Sequence, residues 1–515
     1  MKKSQLIATG SLNRMLQTAE EAWHRKDFQE CLDMLERASR LAPSNINILL
    51  QLGRIHGLRY NFSAAEQCFE KVLRFTVKKT EALIAIADHC QNFQNSTIAE
   101  NYLKQALKQP DATSNTYVKL AELYERLRRL PEASQLIEQA LELDPTHPAT
   151  LLTYARLERL AGKFESAERI LRSFIFKPSA DVWTHARAYY ELGNILDRQK
   201  RYDEAMSAFL EAKTLMRPQA AKHLIELKTL RERLKVMETN VSSEMLKRWF
   251  DEAPNLFPSR RLSLLCGHAR SGTTLLEQVL DSHSDIISAE ETTIFVEDAF
   301  APLKRNLPPD AYMLPVLEAA QISDLKQART SYFHSMELSL GNIIGGRLLL
   351  DKNPVLTFMI PAFIRVFPET KFLIALRDPR DVVLSCFMQP QPLNPVTAAY
   401  LTLEGTVDDY IANMSLWRTF APLMPVPYLE IKYEGMVENL ESVARKTLTF
   451  LGVSWEAKVL GFNEHARNKL VRSPTYADVT QPIYKRALGR WQHYQKYLEP
   501  HLIKLQSFIK VFGYE

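Results

Sequence analysis

Small residues recur every 34 residues through the first part of this chain, and no other feature constrains its fold as strongly. One series is Ala19, Gly53, Ala87, Ala121, Ala155 and Gly193, and a second is Cys31, Ala65, Ala99, Ala133, Ala167 and Ala205. In both series the spacing is 34 four times and then 38 once. Three residues before each member of the second series stand Phe28, Phe62, Ser96, Leu130, Phe164 and Tyr202, and seven residues after stand Ala38, Val72, Ala106, Ala140, Phe174 and Ala212. A phase kept through six units indicates one structural element that is repeated.

This pattern resembles the tetratricopeptide repeat, in which each unit is a helix–turn–helix. Small residues suit positions where two helices cross closely, and the apolar residue seven positions later fills the joint with the next unit. The resemblance implies an all-α solenoid over residues 1–218. Stacked repeats present a concave groove, so we expect a peptide or protein partner there, with a rigid spacer or a lid as the alternative.

The remainder of the chain has a different texture. A charged amphipathic stretch after Pro218 and the two prolines of DEAPNLFPSR predict a capping helix and linker over residues 219–257. From 258 to 515, short apolar runs alternate with helical patterns; the runs are 262–266, 347–351, 371–376 and 427–432. This alternation predicts a multidomain chain that ends in an α/β, P-loop-like domain with a mostly parallel sheet. Ligands of such sheets bind at the carboxyl ends of the strands.

The stretch LLCGHARSGTTLLEQVL, residues 264–280, has the spacing of a phosphate-binding loop. Its glycines permit a tight turn, and backbone N–H groups at the start of the following helix can hold an anion. Hydroxyl groups and a guanidinium add donors; the residues concerned are Arg270, Ser271, Gly272, Thr273 and Thr274. Thr273 stands where the loop of a kinase or ATPase carries lysine. Alone, the stretch is also compatible with a plain strand–turn–helix connection.

A second motif, FLIALRDPRDVVLSCF at residues 372–387, follows another apolar run. Arg377 and Ser385 lie eight residues apart across a predicted strand–helix turn, and two such side chains can converge on one phosphate. The alternative is a pair of ordinary surface contacts between arginine and aspartate in the RDPRD segment.

Together the two motifs resemble the sulfotransferase family, whose donor is 3′-phosphoadenosine 5′-phosphosulfate (PAPS). The resemblance implies that the loop from Arg270 to Thr274 holds the 5′-phosphosulfate and that Arg377 and Ser385 hold the 3′-phosphate. It also implies that no metal is needed.

Four further segments are similar to the tyrosylprotein-sulfotransferase branch of that family. SAEET places Glu291 at the catalytic glutamate, and LDKNP places Lys352 at the catalytic lysine. KYEGMVENLESVARKTLTFLGVSW places Tyr433 at a donor-contacting tyrosine. TYADVTQPIYKRALGRW places Thr475 and Arg490 at donor-contacting serine and lysine positions.

These residue types suit the chemistry that the resemblance implies. An attacking hydroxyl must lose a proton, which Glu291 can accept. The leaving phosphate gains negative charge, which Lys352 and Arg270 can stabilise. Because some sulfotransferases use histidine as the base, His268 and His283 remain alternatives to Glu291.

The sequence also departs from the branch. Two arginines that help it to grip acidic tyrosine peptides fall here on Thr293 and Glu297, and a donor-binding arginine falls on Gln389. The acceptor therefore stays open between peptide, including peptide tyrosine, glycan and small hydroxylated metabolite.

The net charge, the cysteines and the lengths of the apolar segments bear on the partners and location of the protein. A net charge of +5 over 515 residues gives no indication of nucleic-acid binding. No segment has the length of a membrane span or the form of a signal peptide, and the five cysteines are scattered, so we expect a cytoplasmic protein. The favoured interpretation is a PAPS-dependent sulfotransferase whose repeats dock the acceptor or a partner. The alternatives are a repeat scaffold with an inactive nucleotide-binding domain and a P-loop kinase, and the oligomeric state stays open, a homodimer included.

Overall fold

The structure, a computed structural model, describes residues 2–93, 95–176, 181–305, 307–308, 311–467 and 479–515. The chain forms two compact units, Met1–Ala180 and Asp181–Glu515. The domain boundaries at 218 and 257 that the sequence suggests stay predictions. The last of the six repeats lies in the second unit.

The first unit consists of helices that pack in consecutive pairs. They are α1 (Lys2–Arg25), α2 (Phe28–Leu41), α3 (Ile46–Leu58), α4 (Phe62–Phe75), α5 (Lys79–Asn92), α6 (Ser96–Leu107), α7 (Ser114–Arg126), α8 (Leu130–Leu143), α9 (Pro148–Leu160) and α10 (Phe164–Phe174). The small residues of both periodic series are buried where the paired helices cross. A Cβ on Gly53, for example, would lie 2.2 Å from the ring of Phe69. The predicted helix–turn–helix repeat is therefore confirmed.

The turn within each repeat also follows the period. The residue two positions before the second helix has a positive φ at Lys26 (64°), Tyr60 (61°), Arg128 (63°), Gly162 (79°) and Lys200 (62°). The equivalent position 94 lies outside the described residues. Only one of these positions is glycine, so side chains are held in the left-handed region at the other four.

The second unit begins with the last repeat pair, α11 (Val182–Arg198) and α12 (Tyr202–Met216). Two further helices, α13 (Ala221–Asn240) and α14 (Ser243–Asp251), occupy the stretch that was predicted as a capping helix and linker. Of the helices described, none is long and apolar enough to cross a membrane.

A five-stranded parallel sheet forms the centre of the second unit, in the order β2-β3-β1-β4-β5. Its strands are β1 (Leu262–Gly267), β2 (Ile286–Glu290), β3 (Leu348–Lys352), β4 (Lys371–Leu376) and β5 (Tyr428–Lys432). The predicted parallel α/β domain is confirmed, but the apolar runs did not reveal β2, because IISAE is short and two of its five residues are polar.

Helices cover the sheet and complete the unit. They are α15 (Thr273–Asp281), α16 (Met313–Ala319), α17 (Ile322–Leu340), α18 (Ile360–Val366), α19 (Pro379–Phe387), α20 (Leu403–Phe420), α21 (Tyr433–Glu438), α22 (Leu440–Leu451), α23 (Phe462–Arg467), α24 (Gln495–Leu498) and α25 (Leu502–Val511). β1, β3 and β4 are almost wholly buried, as expected for central parallel strands.

Candidate active site

Every strand of the sheet leads into a residue or loop that the sequence singled out. The 268–272 loop follows β1, Glu291 follows β2, Lys352 is the last residue of β3, Arg377 follows β4 and Tyr433 follows β5. Because the strands are parallel, all five positions lie at one edge of the sheet, which is where ligands bind in open α/β sheets.

The 268–272 loop ends at a glycine that no other residue can replace without strain. Gly272 has a φ of 92° and caps the N-terminus of α15. A Cβ there would lie 2.6 Å from the ring of Tyr433, so the β5 end and the loop are in close contact. Ser271, Thr273 and Thr274 are buried beside it. The first turn of α15 therefore presents backbone N–H groups and hydroxyls in the arrangement that binds anions.

The two predicted phosphate-binding motifs meet through their side chains. Arg270, whose φ is 69°, donates from Nε to Oγ of Ser385 over 3.0 Å. Arg377 donates from Nη1 to the carbonyl oxygen of Arg270 over 3.2 Å, and its guanidinium lies 4.9 Å from the centre of the Tyr433 ring. Residues about 110 positions apart in sequence thus form one basic cluster.

Arg377 also has a polar atom that the described residues do not satisfy. Its Nε is buried and has no hydrogen-bond partner among them. A buried donor without an acceptor costs about 1–3 kcal/mol, and in native proteins such a group is explained by strain, a bound water or ion, or a functional role. An anionic oxygen at this point would remove that cost.

Lys352 lies at the centre of three carboxylates. Its Nζ is 2.8 Å from Oε1 of Glu291, 3.3 Å from Oε1 of Glu290 and 3.4 Å from Oε2 of Glu277. Burial of Lys352 opposes its charge, but the attraction of Glu277, Glu291 and Glu290 outweighs burial and raises its pKa above the ordinary value. The ammonium is therefore fully protonated at neutral pH.

Glu291 is the one carboxylate of this cluster that reaches solvent. Its side chain is 39% exposed, whereas those of Glu277 and Glu290 are 0% and 3% exposed. Its backbone has a φ of 50°, and its N–H donates to the carbonyl oxygen of Lys352 over 2.7 Å. A carboxylate that is accessible and fixed beside an ammonium can accept a proton from a bound hydroxyl.

Glu277 is a site residue that sequence reasoning missed. It lies on α15, fully buried, and its Oε1 accepts a hydrogen bond from Ser288 Oγ over 2.8 Å. The signal was an acid among the apolar residues in the middle of the helix TTLLEQVLD, since a buried charge needs a partner. That the partner is Lys352 depends on the fold.

The two histidines that the sequence left as alternative bases both have other contacts that do not suit a base. His283 bonds the carbonyl oxygen of Ser454 through Nε2 over 2.8 Å and accepts the N–H of Asp285 at Nδ1 over 3.0 Å. Burial alone would lower the pKa of His268, but its contacts with Asp409 and Cys386 raise that pKa to about 10. A histidine that is already protonated does not act as a base at neutral pH.

The sequence also predicted donor contacts at Arg490 and Thr475, of which only Arg490 lies within the described residues. Arg490 is ion-paired with Asp197 of α11, with Nη2 2.9 Å from Oδ1. Thr475 lies outside the described residues. Within the described ranges, no group of three or more His, Cys, Asp or Glu side chains is arranged to hold a metal ion.

Protein-family models match segments in both parts of the chain. Residues 264–457 match the model of the sulfotransferase family. Residues 85–148 and 152–221 match one tetratricopeptide-repeat model, and residues 129–174 match another. Both resemblances inferred from the sequence are confirmed.

Curated relatives agree with this assignment. An uncharacterized protein of Aquifex aeolicus (strain VF5) is 24% identical over 424 residues, which are 80% of this chain and 53% of that protein. Protein-tyrosine sulfotransferase 1 of Danio rerio is 26% identical over 246 residues, 45% of this chain and 65% of that protein. The chain thus spans 53% and 65% of the length of these two relatives. Among solved structures, the sulfotransferase domain from the Synechococcus PCC 7002 olefin synthase is 19% identical with a TM-score of 0.32, covering 46% of this chain and 89% of that one.

Proposed function

Because the chain joins tetratricopeptide repeats to a domain of the sulfotransferase family, we propose that it transfers the sulfuryl group of PAPS to a hydroxyl-bearing acceptor. The observation that carries the proposal is the position of the Lys352–Glu291 pair. It lies at the same sheet edge as the basic cluster of Arg270, Arg377 and Ser385. The phosphate loop on β1 is flanked by β3, which ends in Lys352, and by β4, which leads to Arg377.

The donor fits the polar groups at this edge. The 268–272 loop and the start of α15 would hold the phosphosulfate, and Arg377, with its unpartnered Nε, would hold the 3′-phosphate together with Ser385. Tyr433 and Arg490 stay proposed donor contacts. PAPS supplies an activated sulfuryl group, whose transfer needs no metal ion.

Glu291 and Lys352 divide the proposed chemistry between them. Glu291 accepts the proton of the acceptor hydroxyl as its oxygen bonds to sulfur, and the bond from sulfur to the phosphate oxygen breaks. Lys352, kept protonated by its carboxylate neighbours, stabilises the negative charge that remains on the phosphate, together with Arg270. Glu277 and Glu290 hold the ammonium in place.

The proposal is tested by binding of adenosine 3′,5′-bisphosphate, the product of the donor. We expect calorimetry on the full chain to give one site per chain with EDTA present. Wild-type protein that binds no bisphosphate would point instead to a repeat scaffold. A transfer that requires magnesium and ATP would point to a kinase.

Substitution of Arg377 by alanine separates donor binding from general damage. We expect Arg377→Ala to weaken bisphosphate binding by about 1.5–3 kcal/mol, the size of a hydrogen bond to a charged group. Arg445→Ala is the matched control, because Arg445 pairs with Glu441 on the surface of the same unit. Equal loss in both variants contradicts the assignment of Arg377.

The acceptor is identified by donor-labelled sulfate transfer to peptide, glycan and metabolite pools. We propose that the repeats dock this acceptor or a partner protein, since grooves of stacked repeats serve this purpose. Removal of the first unit is then expected to raise the KM for the acceptor and to leave the KM for the donor unchanged.

A further inference from the structure

The segment 487–494, here called the C-terminal strap, connects the proposed donor site with the last repeat. It runs from Ala487 to Tyr494 and lies wholly within the second unit, as do both of its contact partners. On one side it meets the turn and helix that carry Arg377 and Ser385. On the other side it meets α11 and α12.

Three hydrogen bonds fix the strap to the donor site. Both carboxylate oxygens of Asp381, a buried residue of α19, accept backbone N–H groups of the strap. They accept from Gly489 over 2.9 Å and from Trp491 over 2.8 Å. Arg377 donates from Nη2 to the carbonyl oxygen of Ala487 over 2.5 Å. The backbone on either side of Arg490 is thereby tied to the helix that carries Ser385.

The last repeat fixes the other side of the strap through one carboxylate. Oδ1 of Asp197 lies 2.9 Å from Nη2 and 3.2 Å from Nε of Arg490, and it accepts the hydroxyl of the buried Tyr494 over 2.7 Å. Beside this cluster, the rings of Tyr202 and His493 stack with their centres 4.4 Å apart. The direction of the Arg490 guanidinium is therefore set by a residue of the repeat.

We propose that Asp197 is a positioning residue of the nucleotide site. By holding Arg490 and the strap against Arg377 and Asp381, it makes the last repeat a structural part of donor binding. This inference rests on the proposed function. It goes beyond that function because it assigns to the repeat region a role in donor binding that is independent of any acceptor or partner.

The test compares three variants in the full chain, with adenosine 3′,5′-bisphosphate as the probe. Asp197→Asn keeps the shape of the side chain and removes its charge, and we expect it to weaken bisphosphate binding about tenfold. Arg490→Gln should have an effect of similar size. The double variant should bind no more weakly than Arg490→Gln alone, because the two residues act as one unit.

Asp203→Asn is the matched control. Asp203 lies on the same repeat and also pairs with a C-terminal lysine, Lys496, but that pair is exposed and lies beyond the strap. We expect it to leave bisphosphate binding within twofold of wild type. In steady-state assays Asp197→Asn should raise the KM for the donor with kcat little changed, a split that a general loss of folded protein would not produce.

The outcomes separate this inference from the proposed function. A wild-type protein that binds no bisphosphate overturns the proposed function. A wild type that binds, with Asp197→Asn within twofold of it or with effects that multiply in the double variant, overturns only the role of Asp197. If Asp197→Asn does not fold, Asp197→Glu decides, because it keeps the charge but displaces the carboxylate. A raised donor KM is then expected, and an unchanged one contradicts the proposal.

Discussion

At the scale of single residues, the site is organised by charge in places where water is excluded. Lys352 is completely buried and is surrounded by Glu277, Glu290 and Glu291. In the proposed chemistry only Glu291 accepts a proton, so Glu277 and Glu290 would serve to hold the ammonium. A substitution at Lys352 therefore alters the stability of the protein as well as its chemistry.

Lys352→Ala and Glu291→Gln should both lose turnover but differ in stability. The first leaves Glu277 and Glu290 buried without their cation, which costs about 3–5 kcal/mol. The second removes a half-exposed charge, and its effect on the free energy of unfolding should stay below about 1 kcal/mol. Urea unfolding alongside turnover measures both quantities, and equal stability of the two variants would show that the carboxylates do not depend on Lys352.

Lys213, on α12, is a buried lysine for which the proposed chemistry has no use. Its Nζ lies 5.1 Å from the ring centre of Tyr190 and 4.8 Å from that of Phe387, and burial lowers its pKa to about 7. Between pH 7 and 10.5 the unfolded chain therefore binds more protons at Lys213 than the folded protein. Over that window the contribution of Lys213 to stability rises with pH, and below pH 7 it is constant and most unfavourable.

The variant Lys213→Met removes this titration. We expect it to have a larger free energy of unfolding than wild type at pH 7. The difference between the two proteins should fall by about 1.4 kcal/mol per pH unit as the pH rises towards 10. Unfolding free energies at several pH values provide the measurement. Lys235→Met, at an exposed lysine of α13, is the control. An advantage that does not change with pH would mean that Lys213 is charged throughout.

At the scale of elements, the turns of the repeats are as periodic as the helices they connect. The position two residues before the second helix is left-handed in each described repeat, yet only Gly162 is the residue type suited to it. Lysine, tyrosine and arginine occupy the other positions, so the packing of the helix pairs, rather than the turn residue, determines the turn.

Two substitutions in these turns should therefore have opposite effects. Lys200→Gly relieves a left-handed side chain at an exposed position and should raise stability by up to about 1 kcal/mol, whereas Gly162→Ala introduces such a side chain and should lower stability by a similar amount. Thermal unfolding of both variants checks the pair. A loss of stability in Lys200→Gly would mean that the lysine side chain contributes more than its backbone strain costs.

At the scale of the whole molecule, the last repeat belongs with the α/β domain. Residues Asp181–Glu515 form one compact unit, in which Ala186 and Met216 of the repeat share an apolar cluster with Ala398 and Leu401. The repeat period places the end of the solenoid at residue 218, but contacts place the division between compact units before α11.

Two truncations distinguish these divisions. A chain of residues 181–515 should fold and bind adenosine 3′,5′-bisphosphate, because it keeps the apolar cluster and the Asp197–Arg490 pair. A chain of residues 219–515 should be poorly soluble and bind weakly, because it exposes the surface that α11 and α12 cover. Soluble yield, circular dichroism and calorimetry measure the difference, and equal behaviour of the two chains would favour the boundary at 218.

The sequence by itself determined the repeats, the parallel α/β domain and four of the five strand ends on which the candidate residues lie; the strand before Glu291 was not predicted. These features are local, because a helical period, or a residue that follows an apolar run, depends only on residues that are close together in the sequence. Only the tertiary structure decided which side chains meet. It paired Arg270 with Ser385, Lys352 with Glu277, and Arg490 with Asp197. Such partners are 75 to nearly 300 residues apart, and their contact depends on sheet order and on how the last repeat packs, which no local pattern records.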